Sequence, residues 1–234
     1  MSASARISAL ALQDIHADVW HADALSSAPL QVLATGDAAL DAQLPGGGWP
    51  VGALTEILQP PGVHSEWRLL LPALAACGHG PVVLVGAPHL PFAPALAAQG
   101  LAAQRLLSVH APAAATRLWA SEQALRCADV SAVLAWLPHA RSDALRRLQM
   151  AAAEYNKLLF VMRPESARDD ASPAVLRLHV GPHLQGGDGL QIGLLKRRGP
   201  PLNQPLQLKA RTARMSLLLA AGQDHALGRT AVRA

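Results

Sequence analysis

Residues 33–67 read LATGDAALDAQLPGGGWPVGALTEILQPPGVHSEW, and this stretch holds in order a capped turn, a glycine turn, a strand and a loop. Thr35, Gly36 and Asp37 predict a turn that caps a short helix through Leu40 and Leu44, because an aspartate oxygen can accept the unpaired amides of a first helical turn. Gly46, Gly47 and Gly48 make a flexible turn, and residues 50–52 make another. Residues 54–58 follow as a strand. The strand then delivers the loop Gln59-Pro60-Pro61-Gly62-Val63-His64-Ser65-Glu66-Trp67.

Such a strand-to-loop step is where an α/β nucleotide-binding domain holds phosphate. Backbone amides of a glycine-rich loop cradle it, a lysine reaches the outer phosphates, and a Ser or Thr holds Mg²⁺, in the pattern G-x-x-x-x-G-K-[ST]. The loop here has a suitable length but unsuitable chemistry. Pro60 and Pro61 remove amide donors, Glu66 adds negative charge, and there is no lysine.

Downstream, strand-like and helix-like pieces alternate. A helix is expected over residues 68–77, with Pro72 requiring a kink or a late start. Residues 81–87 form a buried strand, since VVLV runs without polar alternation. A helix over 93–103, a strand over 106–109, a helix over 119–127 and a strand over 130–137 follow. Ser142 caps a helix reaching Tyr155, and 158–162 is another strand. This rhythm predicts a mostly parallel sheet flanked by helices on both faces. After a polar loop at 163–173, shorter strands at 175–180, 190–195 and 206–208 extend the sheet with antiparallel members. Gly186 to Gly189 reads as a hairpin turn.

Bulk properties agree with a folded α/β protein. Of 234 residues 51% are hydrophobic and only 15% charged, enough to build a core and too apolar for a disordered chain. No apolar run approaches the ~18 residues of a membrane helix, and no secretory leader is expected. Cys77 and Cys127 lack metal-ligand spacing and read as buried thiols of a cytoplasmic protein. Neither an H-E-x-x-H pattern nor a Cys/His cluster points to a metal. Charge is asymmetric: residues 1–70 carry seven acids against Arg6 and Arg68, whereas residues 196–234 carry eight bases against Asp224. A basic end of this kind can meet nucleic acid or an acidic partner.

The run TGDAALDAQLPGGGWPVGALTEI resembles the opening of the RecA-type core, in which T-G-x-x-x-L-D precedes a G-G-x-P-x-G turn and the strand before the phosphate loop. Thr35, Gly36, Leu40, Asp41, Gly47, Gly48, Pro50, Gly52, Glu56 and Ile57 carry the match. The resemblance implies a RecA-like, P-loop-type core. It sets the loop lysine position at Ser65 and the following Thr at Glu66. The catalytic glutamate position falls at Pro88, and the Mg²⁺-binding aspartate position falls near Leu137. Across residues 10–208 the chain is similar to the ImuA family, RecA-like accessory proteins of damage-induced translesion synthesis, with the related SulA cell-division inhibitors as the rival. Membership implies partnership with an ImuB-type Y-family polymerase relative and a DnaE-type error-prone polymerase, with DNA or RecA as further partners.

The expected organisation is an N-terminal helical arm at 1–30, the core at 31–208 and a basic, flexible tail at 209–234. No ATPase activity and no cofactor are expected, beyond weak nucleotide contact through the vestigial loop residues Gln59, Gly62, His64, Ser65 and Glu66. His64 and Ser65 read as plain loop residues, because adjacent side chains rarely converge on one reacting atom. Lys196, Arg197 and Arg198, held on a turn, together with Arg211 and Arg214, are the candidate DNA- or partner-binding set. Trp49 and Trp67 flank the loop and are candidate partner-facing aromatics. Trp119 and Trp136 are expected in the core, and Arg163 and Arg168 in a loop that, by the resemblance, faces DNA.

Overall fold

The computed structural model describes residues 31–183, 189–202 and 204–209. The arm, the hairpin tip and all of the tail beyond Lys209, with Arg211 and Arg214, lie outside the described residues. The chain opens with β1 (Val32–Leu33), α1 (Ala38–Asp41) and β2 (Trp49–Pro50), and β1 pairs antiparallel with β2. Asp37 caps α1 as expected, its carboxylate accepting from the amides of Ala39 at 2.9 Å and Leu40 at 3.1 Å.

The core then runs β3 (Ala53–Gln59), α2 (Glu66–Ala76), β4 (Val82–Val85), α3 (Ala93–Ala98), β5 (Leu106–Val109), α4 (Ala114–Arg126), β6 (Ala132–Trp136), α5 (Ser142–Glu154), β7 (Leu158–Pro164), β8 (Leu176–Pro182), β9 (Leu190–Lys196) and β10 (Leu206–Leu208). One eight-stranded sheet results, in the order β10-β9-β8-β3-β7-β6-β4-β5. The six strands from β8 to β5 are parallel, and β9 and β10 add antiparallel pairs at the other end. The fold is therefore α/β with a mostly parallel sheet flanked by helices and an antiparallel extension.

Alternation along the strands divides two apolar layers. Ile57, Val82, Leu84, Leu134, Phe160, Met162 and Leu178 face α1, α2 and α3. Leu54, Val83, Val85, Val133, Ala135, Leu159 and Val161 face α4 and α5. Strands buried on both faces need no polar alternation, which is why they read as continuous apolar runs.

Three local expectations are corrected. Helix α2 starts at Glu66 rather than late and continues through Pro72, with Leu69, Leu70, Leu71, Ala73 and Leu74 around it all buried. That packing offsets a missing hydrogen bond and a ring clash that cost ~3 kcal/mol in an isolated helix. The proline ring meets Gly36: a side chain on that glycine (φ +88°) would lie 2.4 Å from Pro72 Cβ. Second, Ser142 is the first residue of α5 and caps nothing; Arg141 takes the cap position without a side-chain bond. Third, α3 stops at Ala98, and a 3₁₀ turn at Ala103–Arg105 leads into β5.

Candidate functional site

In a doubly wound sheet the carboxyl ends of the parallel strands leave a crevice where the strand order reverses. Here β3 is followed three places away by β4, the chain moves out to β5, and β6 returns between β4 and β7. A pocket of about 340 Å³ lies across those ends. Its wall combines residues 59–64 after β3, Gly86, Ala87 and Pro88 after β4, His110 and Ala111 after β5, Trp136 and Pro138 from β6, and Met162, Arg163 and Pro164 from β7. Helix α4 supplies Arg117.

The wall has little to offer a phosphate. Pro60, Pro61, Pro88, Pro138 and Pro164 line it, so five backbone positions have no amide to donate. Among its lining residues there is neither a lysine nor a carboxylate. Gly62 keeps the left-handed φ of +74° in open space, but Val63 N–H turns back onto Pro60 O at 3.1 Å. Ser65 is buried at the N-cap of α2 with no side-chain capping bond. Glu66, in the first turn of α2, is also buried, and Gln59 Nε2 donates to its Oε2 at 3.3 Å. The carboxylate thus occupies the helix terminus that favours an external anion. Gln59 and Glu66 form a closed pair inside the loop, Gly62 and His64 face the crevice, and His64 meets His89 edge-on at 4.8 Å.

Nothing in the local sequence marks Arg117 as part of this region. Its Nε donates to Ala111 O at 2.6 Å and its Nη1 to Trp136 O at 3.4 Å, which ties the ends of β5 and β6 together. It can lie there because Gly86 has no side chain; a Cβ at that residue would come within 2.8 Å of the guanidinium stem. The strand-end prolines are the sequence signal that could have marked the wall.

Behind the crevice lies a buried ionic chain. Glu56 on β3 is fully buried and accepts from Arg163 of β7 at 2.8 Å and from Arg177 of β8 at 2.5 Å. Arg163 also binds Asp170 at 2.8 Å, and Arg177 donates to the carbonyls of Ala167 and Arg168 at 2.8 and 3.1 Å. These bonds pin residues 165–170 onto the sheet. Arg163 is therefore turned inward, 5% exposed, and does not face DNA as expected.

The aromatic expectations are partly reversed. Trp49 is fully buried, edge-to-face with Phe160 at 5.4 Å, because pairing with Leu33 turns it into the core. Trp67 is half-buried against the same layer. Trp136 is in the core as read, whereas Trp119 is 63% exposed on the outer side of α4. In the basic set, Arg197 is drawn inward onto the carbonyl oxygens of Pro200 and Gln43, and Lys196 onto Ser172 O at 3.1 Å. Arg198 is exposed. The three do not adjoin the crevice wall.

No protein-family model matches the chain. Protein ImuA of Caulobacter vibrioides (strain NA1000 / CB15N) is 30% identical over 190 residues, covering 74% of this chain and 76% of that protein. The chain belongs to the ImuA family. The cell division inhibitor SulA of Pectobacterium atrosepticum is 33% identical over 119 residues, and the SulA of Photorhabdus laumondii is 32% identical over the same length. Those matches take in 50% and 48% of this chain, and 62% and 67% of the two SulA proteins. The chain thus spans less than two thirds of the Pectobacterium protein, and the likeness to the ImuA member reaches further along it. Among the described residues no helix is long and apolar enough to cross a membrane, and no group of metal-ligating side chains occurs.

Proposed function

We propose that this ImuA-family chain is a non-enzymatic, RecA-like accessory protein of damage-induced (SOS) translesion DNA synthesis, recruiting or regulating an error-prone polymerase complex of the ImuB/DnaE type. The observation that carries the reading is the crevice. A doubly wound sheet is kept with its strand-end pocket, while the wall offers prolines in place of amides and the α2 terminus already holds the Glu66 carboxylate. These residues do not fit a Mg²⁺-nucleotide: the wall has no carboxylate to hold the metal, and Glu66 would repel the phosphates. The opening TGDAALD–GGWPVG segment and the parallel strands support a RecA-like core. Action through protein surfaces follows, in the cytoplasm and without a cofactor.

The SulA relatives favour a second reading, an inhibitor that binds a tubulin-like cell-division GTPase. The two separate in the cell. Deleting the chain's gene is expected to abolish damage-induced mutation, and overproduction is expected to leave cell length unchanged. Filamentation on overproduction, with mutation frequency unaffected by the deletion, would contradict the accessory role and support the inhibitor.

A further inference from the structure

The two most exposed large apolar side chains among the described residues follow the crevice wall closely in sequence. Leu90 is 80% and Phe92 73% exposed, and both stand in the loop that leaves the crevice wall at Pro88. That loop is braced where His89 packs edge-on against His64 of the opposite lip. Exposed leucine and phenylalanine beside a concave apolar wall cost solubility and are typical of a surface that another macromolecule covers. Charge selects the occupant. The wall contains Arg117, His64 and His110 and no carboxylate, while Arg163, which also lines it, is already paired with Glu56 and Asp170. Arg117 spends Nε and Nη1 on backbone carbonyls, and its Nη2 has no partner among the described residues. An arginine anchored by two carbonyls, with one edge left over, is pre-organised to receive a carboxylate.

We propose that the crevice and the loop bearing Leu90 and Phe92 form the docking site of a protein partner, which inserts an apolar side chain between the prolines and sets a flanking carboxylate on Arg117. The partner segment is acidic with one buried apolar anchor; a cavity of about 340 Å³ accommodates a single such side chain with room for its backbone. The site is the place where an active relative of this fold would hold nucleotide. Docking there rests on the accessory reading, giving that role a location.

The test titrates the full chain with three labelled ten-residue peptides, identical except for a central Glu-Leu-Glu, Lys-Leu-Lys or Glu-Ser-Glu, and follows fluorescence anisotropy. Saturable binding of the first is expected, with the other two weaker by about tenfold or more. The Leu90→Ser/Phe92→Ser double variant is expected to lose about tenfold for the first peptide. Both positions are exposed, so the variant keeps its fold. Arg117→Gln is expected to erase the preference for Glu over Lys. Mg-ATP at millimolar concentration is expected not to displace the peptide. Equal binding of all three peptides, or no effect of the double variant, would overturn the site, as would displacement by Mg-ATP. Capture of the ImuB-type protein by the double variant at the wild-type level would also overturn the site while leaving the accessory role standing. Peptide binding without any capture of that protein by the wild type would leave the site and remove the role.

Discussion

Glu56 carries the heaviest electrostatic demand of any single residue described. It lies in the middle strand of three, with no access to solvent, between guanidinium groups from β7 and β8. Desolvating three charges is costly, and the cost is offset in part by further bonds from the arginines to Asp170 and to loop carbonyls, while Arg163 Nε is buried without a hydrogen-bond partner among the described residues. Glu56→Gln leaves two buried arginines facing a neutral group. The expected loss is about 3–5 kcal/mol of unfolding free energy, read as a lower urea midpoint with an unchanged slope. Residues 165–170 lose their anchor in the same variant and are expected to become the first site of limited proteolysis. A variant as stable as the wild type would show that the chain of charges adds nothing to the fold.

The helices on the second face are tied through Glu122. Its carboxylate, 13% exposed, bonds Arg126 one turn on in α4 at 2.8 Å and Arg147 of α5 at 2.5 Å. Burial opposes ionisation, but hydrogen bonds and charges from Arg126 and Arg147 outweigh it and hold this carboxyl below its ordinary value. A depressed acid stabilises the fold above the unfolded-state value, and that contribution is lost as pH falls through the folded-state value. Glu122→Gln is thus expected to lower the melting temperature at pH 7, by an amount worth about 1 kcal/mol or less given the exposed arginines. The gap between wild type and variant should close below pH 4, within the carboxylate range. A gap that stays constant from pH 7 to pH 3 would assign the effect to packing.

Elements were legible to the extent that their signals were local. The continuous apolar runs announced β4, β6 and β7, and Asp37 announced α1, because strand burial and capping are set by neighbouring residues. Orientation was not legible. Trp49 reads as a loop aromatic until its pairing with Leu33 turns it inward, and Trp119 reads as core until α4 is rotated by the burial of Ala120, Ser121 and Leu125. Nor was the ionic chain legible, since Glu56 meets its partners across 107 and 121 residues of sequence. The loop after β3 is marked by its glycine and prolines, whereas Arg117 comes to the site through the bare surface of Gly86, which no periodicity marks.

At the scale of the whole molecule, the sheet has the topology that places a ligand crevice at its carboxyl edge, and the wall there is rich in proline and free of lysine and carboxylate. On the function proposed above, the fold is kept for binding. Phosphate release from Mg-ATP by the full chain, in the presence of an ImuB-type protein and single-stranded DNA, tests this most directly. Release at the level of the protein-free blank, with that protein still co-eluting, is the predicted result. Turnover above the blank that Ser65→Ala abolishes would contradict it.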